Sequence, residues 1–277
     1  MPFWIPFVVA YVLTVVMSPA GVSGAFLLLP FQVSVLGSTG PGATATNHLF
    51  NVVAIPSAVY RYVREGRMLW PLSLVIVIGT IPGSIAGALA RIHWLSDADA
   101  FEMFMGLVLL LIGGNLVGRI LSRGSGAAAP SKADAEFRLQ VKRFDLLRLE
   151  YVFAGQLYSL SMPGLASITA VIGAVGGAYG IGGGAIISPI LVALYRLPVH
   201  TIAGSTLLGT WVTSLVAVGF FAMAEVAPDW RLGLAFGAGG LLGMYTGARL
   251  QRFLPARSIE SVLALVICAL ALRYLFG

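Results

Sequence analysis

Gly180-Ile181-Gly182-Gly183-Gly184-Ala185-Ile186-Ile187-Ser188-Pro189 breaks a long apolar run, and the pattern recurs 159 residues earlier as Gly21-Val22-Ser23-Gly24-Ala25-Phe26-Leu27-Leu28-Leu29-Pro30. Glycine here ends one helix and starts another, which leaves backbone N–H groups free within apolar sequence. Lipid tolerates such a break only where protein or a water-filled cavity satisfies it. The two copies read as facing halves of one binding site in a duplicated membrane fold.

Composition argues against a soluble fold. Of 277 residues, 58% are apolar and 10% charged, and the mean hydropathy is +0.92. A soluble domain carries about 25% charged residues. The single cysteine, Cys268, reads as a small buried hydrophobe, and the sequence holds no disulfide framework or Cys/His metal spacing. The net charge of +6 lacks the clustered, aromatic-interleaved basic face that nucleic acid needs. Met1-Pro2-Phe3-Trp4 lacks the positive start of a cleaved signal peptide and is read as mature structure.

Apolar runs fall at 3–18, 21–37, 41–62, 69–91, 98–121, 163–178, 182–195, 199–224, 230–250 and 258–276. Runs near 20 residues span a bilayer core of about 30 Å. The first two, and their matches at 163–178 and 182–195, reach only about 21–24 Å as helices and read as re-entrant hairpins. The expected fold is an all-α polytopic membrane protein of two inverted-topology repeats. Each repeat, residues 1–121 and 150–277, is a broken, re-entrant helix hairpin plus three transmembrane helices.

Gly79, Gly83 and Gly87 match Gly239, Gly243 and Gly247, and the i, i+4, i+8 spacing predicts close helix packing. The linker, 122–149, is polar: Gly124-Ser125-Gly126-Ala127 is flexible, Pro130 stops it, and Ser131 is placed to cap a short helix. Phe137, Val141, Phe144, Leu147 and Tyr151 share one helical face. That spacing is compatible with an interfacial helix held to membrane lipids by Arg138, Lys142 and Arg143, but Arg148 falls on the same face and a solvated connector is the default expectation.

If each hairpin enters and leaves on one side, fourteen of the seventeen Lys and Arg residues share a side and Arg91, Arg231 and Arg273 take the other. Reading residues 3–37 as one crossing gives twelve against five. The positive-inside rule prefers the first arrangement, with a cytoplasmic linker and both termini outside.

Inverted repeats with paired broken helices are the architecture of secondary transporters, with the site at mid-membrane. Helix N-termini carry about half a positive charge, so two that face each other suit a small anion. Ser23, Gly24, Gly182, Gly183 and Gly184 would present those termini. No Gly-Lys-Ser/Thr follows Gly184, which removes the phosphate-binding loop as a rival. Asn47, Ser205 and Thr206, from the helix after each break, would bond the anion's oxygens. Gln32, Thr46, His48, Asn51 and Thr210 are additional candidates. As an intramembrane titratable group, His48 could couple proton and substrate, or be a neutral histidine bonded to a carbonyl.

No paired carboxylates, metal cluster or nucleophile with a base appears, so neither an enzyme nor a metal or organic cofactor is expected. A channel-like anion conduit and a non-transporting membrane scaffold are the alternatives to a carrier.

Tyr179 through Gly184, Pro189-Ile190-Leu191, Ala203-Gly204-Ser205-Thr206-Leu207 and Gly243-Met244-Tyr245-Thr246-Gly247 resemble the sulfite exporter TauE/SafE family of bacterial membrane permeases. The resemblance covers most of the chain outside the linker. It implies transport of a small sulfur-containing anion, such as sulfite or an organosulfonate, across the cytoplasmic (inner) membrane. The first glycine motif departs from the family pattern, with Ser23 adding a hydroxyl and Ala25 limiting backbone approach.

Overall fold

The computed structural model describes residues 2–122, 139–153, 155–195, 197–250 and 256–276. The first half holds α1 (Trp4–Met17), a 3-10 turn (Ser18–Ala20), α2 (Ala25–Leu36), α3 (Pro41–Arg64), α4 (Trp70–His93) and α5 (Ala98–Ser122). Strands β1 (Gln140–Phe144), β2 (Arg148–Phe153) and β3 (Gln156–Ser161) follow. The second half holds α6 (Met162–Tyr179), α7 (Gly183–Leu194), α8 (Val199–Met223), α9 (Trp230–Leu250) and α10 (Ala256–Phe276). The chain is thus a mostly helical, polytopic membrane protein. Among the described residues, α4, α6 and α8 are long and apolar enough to cross a bilayer. α3 is as long as α4, at 24 residues, but carries the polar run Thr44 to Asn51.

Both glycine motifs break a helix, through left-handed backbone that glycine adopts without a Cβ penalty. Gly21 (φ 72°) follows the 3-10 turn after α1, and Gly180 (φ 87°) ends α6. Gly182 (φ 66°) then starts α7. Each pair of helices folds back on itself, and α6, at 18 residues, is longer than the half-helix expected from 163–178 and long enough to cross a bilayer. Phe3 and Pro6 at the start of α1 and Leu36 and Ser38 at the end of α2 and just beyond it line one recess. Correspondingly, the Tyr195 hydroxyl after α7 lies against Gly164 at the start of α6.

The glycine stripes let backbones touch. Cβ atoms at Gly79, Gly83 and Gly87 of α4 would run into Thr169, Ala170 and Ala174 of α6, and Gly173 and Gly177 of α6 press on Thr80 and Ser84. Gly239, Gly243 and Gly247 of α9 do the same against Phe7, Thr14 and Ser18 in and just after α1. In both pairs numbers rise together, so the helices run parallel. α3 and α8 run antiparallel: Tyr62 meets Gly204, the Trp211 indole donates to Val52 O, and Gly42 lies against Ala227 just beyond α8. α5 and α10 are antiparallel too, with Gly106 on Leu275 and Gly113 on Cys268.

The linker corrects one expectation. Where a helical face through Val141, Phe144, Leu147 and Tyr151 was expected, the chain forms an antiparallel sheet in the order β1-β2-β3. Leu149 and Tyr151 are buried while Val141, Phe144 and Leu147 are exposed, a period of two rather than 3.6. Tyr151 stacks on its cross-strand partner Tyr158 at 5.3 Å, and its hydroxyl meets Thr201 Oγ1 at the start of α8 at 3.0 Å. The expected cap at Ser131, with Phe137 and Arg138, lies outside the described residues. Because the sheet runs to Ser161, the helical second half starts at Met162.

Candidate functional site

The two breaks meet. Tyr179, the last residue of α6, stacks on Phe26 in the first turn of α2 at 5.9 Å and donates its hydroxyl to Phe26 O at 3.3 Å. A Cβ at Gly21 would meet Ala203 of α8 at 2.9 Å and Ser188 Oγ of α7 at 3.1 Å. The helices after each break supply the polar groups between them.

Asn47 of α3 donates from Nδ2 to Ala25 O at 2.8 Å and to Gly180 O at 3.1 Å. Its Oδ1 accepts from Gln32 Nε2 at 3.3 Å. Thr206 of α8 donates to Gly21 O at 3.2 Å and lies within reach of Ala203 O at 3.1 Å. Asn47 and Thr206 occupy matching positions in the two halves, as do Gly180 and Gly21, so each half's donor holds the other half's break. Asn47, Thr206 and Gln32 are all fully buried. Gln32 Oε1 is buried without a partner among the described residues, which leaves an acceptor at the junction for an incoming O–H or N–H.

A second set of bonds runs between the breaks. Ser23 Oγ donates to Asn51 Oδ1 and accepts from the Ala25 N–H at 3.2 Å, capping α2. Asn51 Nδ2 donates to Ser214 Oγ at 3.1 Å. Ser214 reaches His48 Nδ1 at 3.2 Å, and His48 Nε2 reaches Gly177 O at 3.2 Å. A carbonyl can only accept, so Nε2 carries the proton and Nδ1 accepts from Ser214, a tautomer assigned by the network. Every group then donates onward in one direction, from the first break to the turn before the second.

The remaining expected residues stand differently. Ser205 donates to Leu69 O at 3.0 Å, away from the junction. Thr46 bonds Gly42 O at 2.7 Å and accepts from the Asp229 N–H at 2.8 Å, tying α3 to the start of α9. Thr210 turns back to Thr206 O at 3.0 Å. Gly24 is pressed on Thr14, Gly183 on Thr80, and Gly184 on the Thr206 carbonyl. These glycines, all buried, bring each break against its neighbours.

Two buried polar residues were not singled out from sequence. Ser214 lies one helical turn beyond Thr210 and two beyond Thr206, a spacing that signals a shared face. Arg91 was counted only as an orienting charge, yet it is fully buried at the end of α4.

The profile of the sulfite exporter TauE/SafE family matches residues 6–274. The "Probable membrane transporter protein" of Xylella fastidiosa (strain Temecula1 / ATCC 700964) is 26% identical, over 91% of this chain and 87% of its own. The "Probable membrane transporter protein YunE" of Bacillus subtilis (strain 168) is 22% identical, over 84% of this chain and 80% of its own. The "Probable membrane transporter protein YdhB" of the same strain is 31% identical over a shorter stretch, 31% of this chain and 35% of its own. No solved structure matches the chain significantly. With a matched family profile over nearly its whole length and a polytopic helical fold, the chain belongs to the sulfite exporter TauE/SafE family and is a multi-pass membrane transport protein.

Proposed function

We propose that the chain is a secondary transporter moving sulfite or a small organosulfonate by alternating access around the junction of the two breaks. The observation that carries this reading is the exchanged pair of bonds, Asn47 to Gly180 O and Thr206 to Gly21 O. Neutral donors buried at a double helix break can trade a carbonyl for an oxyanion. A hydrogen bond to a charged acceptor is worth about 1.5–3 kcal/mol against about 0.5–1.5 for a neutral one, and this difference offsets part of the cost of freeing the carbonyl. Gln32 Oε1 would take the proton-bearing group of hydrogen sulfite or an aminosulfonate.

The halves are inverted repeats in this reading. The antiparallel α3 and α8 and the exchanged α4/α6 and α1/α9 pairings support it, as a two-fold axis in the membrane plane requires. The charge count then puts the linker sheet in the cytoplasm and both termini outside, in the inner membrane. With both nitrogens of His48 engaged, the structure matches the neutral form, and a proton on Nδ1 would break the chain at Ser214. Protonation would thus accompany opening of the junction rather than the closed form.

Purified protein in lipid vesicles tests the proposal. Saturable uptake of radiolabelled sulfite, accelerated by unlabelled sulfite on the other side, is expected. Currents linear in voltage with no counterflow would instead establish a conduit, and vesicles inert to every sulfur oxyanion would end the transport reading.

A further inference from the structure

We propose that Arg91 is the anion-selecting residue of this pathway, holding the substrate's oxyanion on its way to the junction; the inference rests on the transport reading above. Arg91 is fully buried. Its Nε donates to Thr44 Oγ1 at 3.0 Å, and its two terminal nitrogens donate to the carbonyls of Leu95 and Thr39. The guanidinium carbon lies 3.5 Å from the centre of the Phe101 ring. All three acceptors are neutral, and among the described residues no carboxylate pairs with it.

Buried charges are ordinarily paired, because leaving water is costly and a counter-charge offsets it. The other buried arginine among the described residues, Arg67, follows that rule on Glu65. Arg91 departs from it, so its full positive charge is available to an anion. A planar fork with neutral acceptors also suits exchange, since an oxyanion can replace a carbonyl bidentately.

Its place in the fold fits a route. Thr44, bonded to the guanidinium, is the residue whose carbonyl and methyl group a Cβ at Gly180 would meet at 3.0 and 3.1 Å. One residue therefore separates Arg91 from the second break. On its other side, Thr39 belongs to the turn Gly37–Gly40, where Cβ atoms at both glycines would meet nothing within 4 Å. The neighbouring Ser38 lines a recess of about 460 Å³ with Arg231 and Asp229 at the start of α9. The Gly37–Gly40 turn thus separates an open recess from the buried cation, and lifting it exchanges Thr39 O for the substrate.

The test compares wild-type, Arg91→Gln and Arg91→Lys proteins in vesicles, with sulfite as the probe and thermal unfolding as a check on folding. Arg91→Gln is expected to raise KM by about tenfold or more, the worth of one charged hydrogen bond, with a smaller change in maximal rate. Arg91→Lys, which keeps the charge but loses the fork, should raise KM less. An unchanged KM in a folded Arg91→Gln protein overturns the inference and leaves the transport reading intact. If the glutamine variant does not fold, an unchanged KM in Arg91→Lys overturns it, and a rise of several-fold supports it. Wild-type vesicles inert to sulfite refute the underlying transport reading instead.

Discussion

Asn47 Nδ2 lies 3.1 Å from Gly180 O, and at the positions matching these two across the 159-residue offset, Thr206 Oγ1 lies 3.2 Å from Gly21 O. Each half of the chain therefore closes the helix break of the other with a side chain from its own following helix. A carbonyl freed by left-handed glycine at the end of a helix needs a donor in a lipid-surrounded interior. For Gly180 O and Gly21 O the donor comes from the opposite half, while Asn47 also holds Ala25 O of its own half.

Asn47 should accordingly tolerate little. Asn47→Asp replaces two donated bonds with a carboxylate facing two carbonyls, while Asn47→Ala removes both bonds and leaves Gly180 O unpaired. A loss of about 1–3 kcal/mol per unsatisfied carbonyl is expected for the alanine variant and more for the aspartate. Thr206→Val removes one bond and should cost about 1 kcal/mol. Thermal unfolding in detergent ranks the three, and a Thr206→Val protein less stable than Asn47→Asp would contradict the geometry.

Glycines within the break motifs and outside them should separate sharply. A Cβ at Gly184 falls far inside van der Waals contact with the Thr206 carbonyl, whereas Gly219 on α8 has open space. Gly184→Ala is expected to cost about 1–3 kcal/mol or more from overpacking, and Gly219→Ala to be neutral within about 1 kcal/mol. Folded yield and unfolding midpoint measured side by side decide it.

The parallel pairings predict matched defects. Gly83→Val on α4 and Gly243→Val on α9 would each force a helix pair apart, α4 from α6 and α1 from α9. Both should reduce folded protein to a similar extent, whereas Gly114→Val, with nothing within 4 Å on α5, should not. Fluorescence-detected size exclusion measures this directly.

Ser214 joins two donors and acceptors at once. Ser214→Ala leaves His48 Nδ1 and Asn51 Nδ2 without their shared partner, with an expected cost of about 1–3 kcal/mol for each group not reached by water. Uptake should fall together with stability. A variant as stable as wild type would show that the network does not close the junction.

One side-chain hydroxyl of the linker sheet reaches the helical bundle, that of Tyr151 to Thr201 of α8. Tyr151→Phe keeps the stack on Tyr158 but loses the bond to Thr201, for about 1 kcal/mol. Protease cleavage within the linker should quicken while the helical bundle stays intact.

Sequence alone located both breaks, the helical runs and the glycine stripes, because each depends on neighbours along the chain. Glycine at a helix end, apolar length and i, i+4 spacing act locally, and the duplication doubled the signal. The linker was misread for a similar reason: Leu149 and Tyr151 alternate as a strand does, yet the surrounding apolar residues also fit a helical period over so short a segment. Only packing decided which donor meets which carbonyl, since partners such as Asn47 and Gly180 are 133 residues apart. Packing likewise turned Ser205 and Thr46 away from the junction and put Arg91, at the end of an apolar run, fully inside. A residue's depth depends on what folds over it, and in Arg91's case that cover comes from the α2–α3 turn and Phe101 rather than from its own helix.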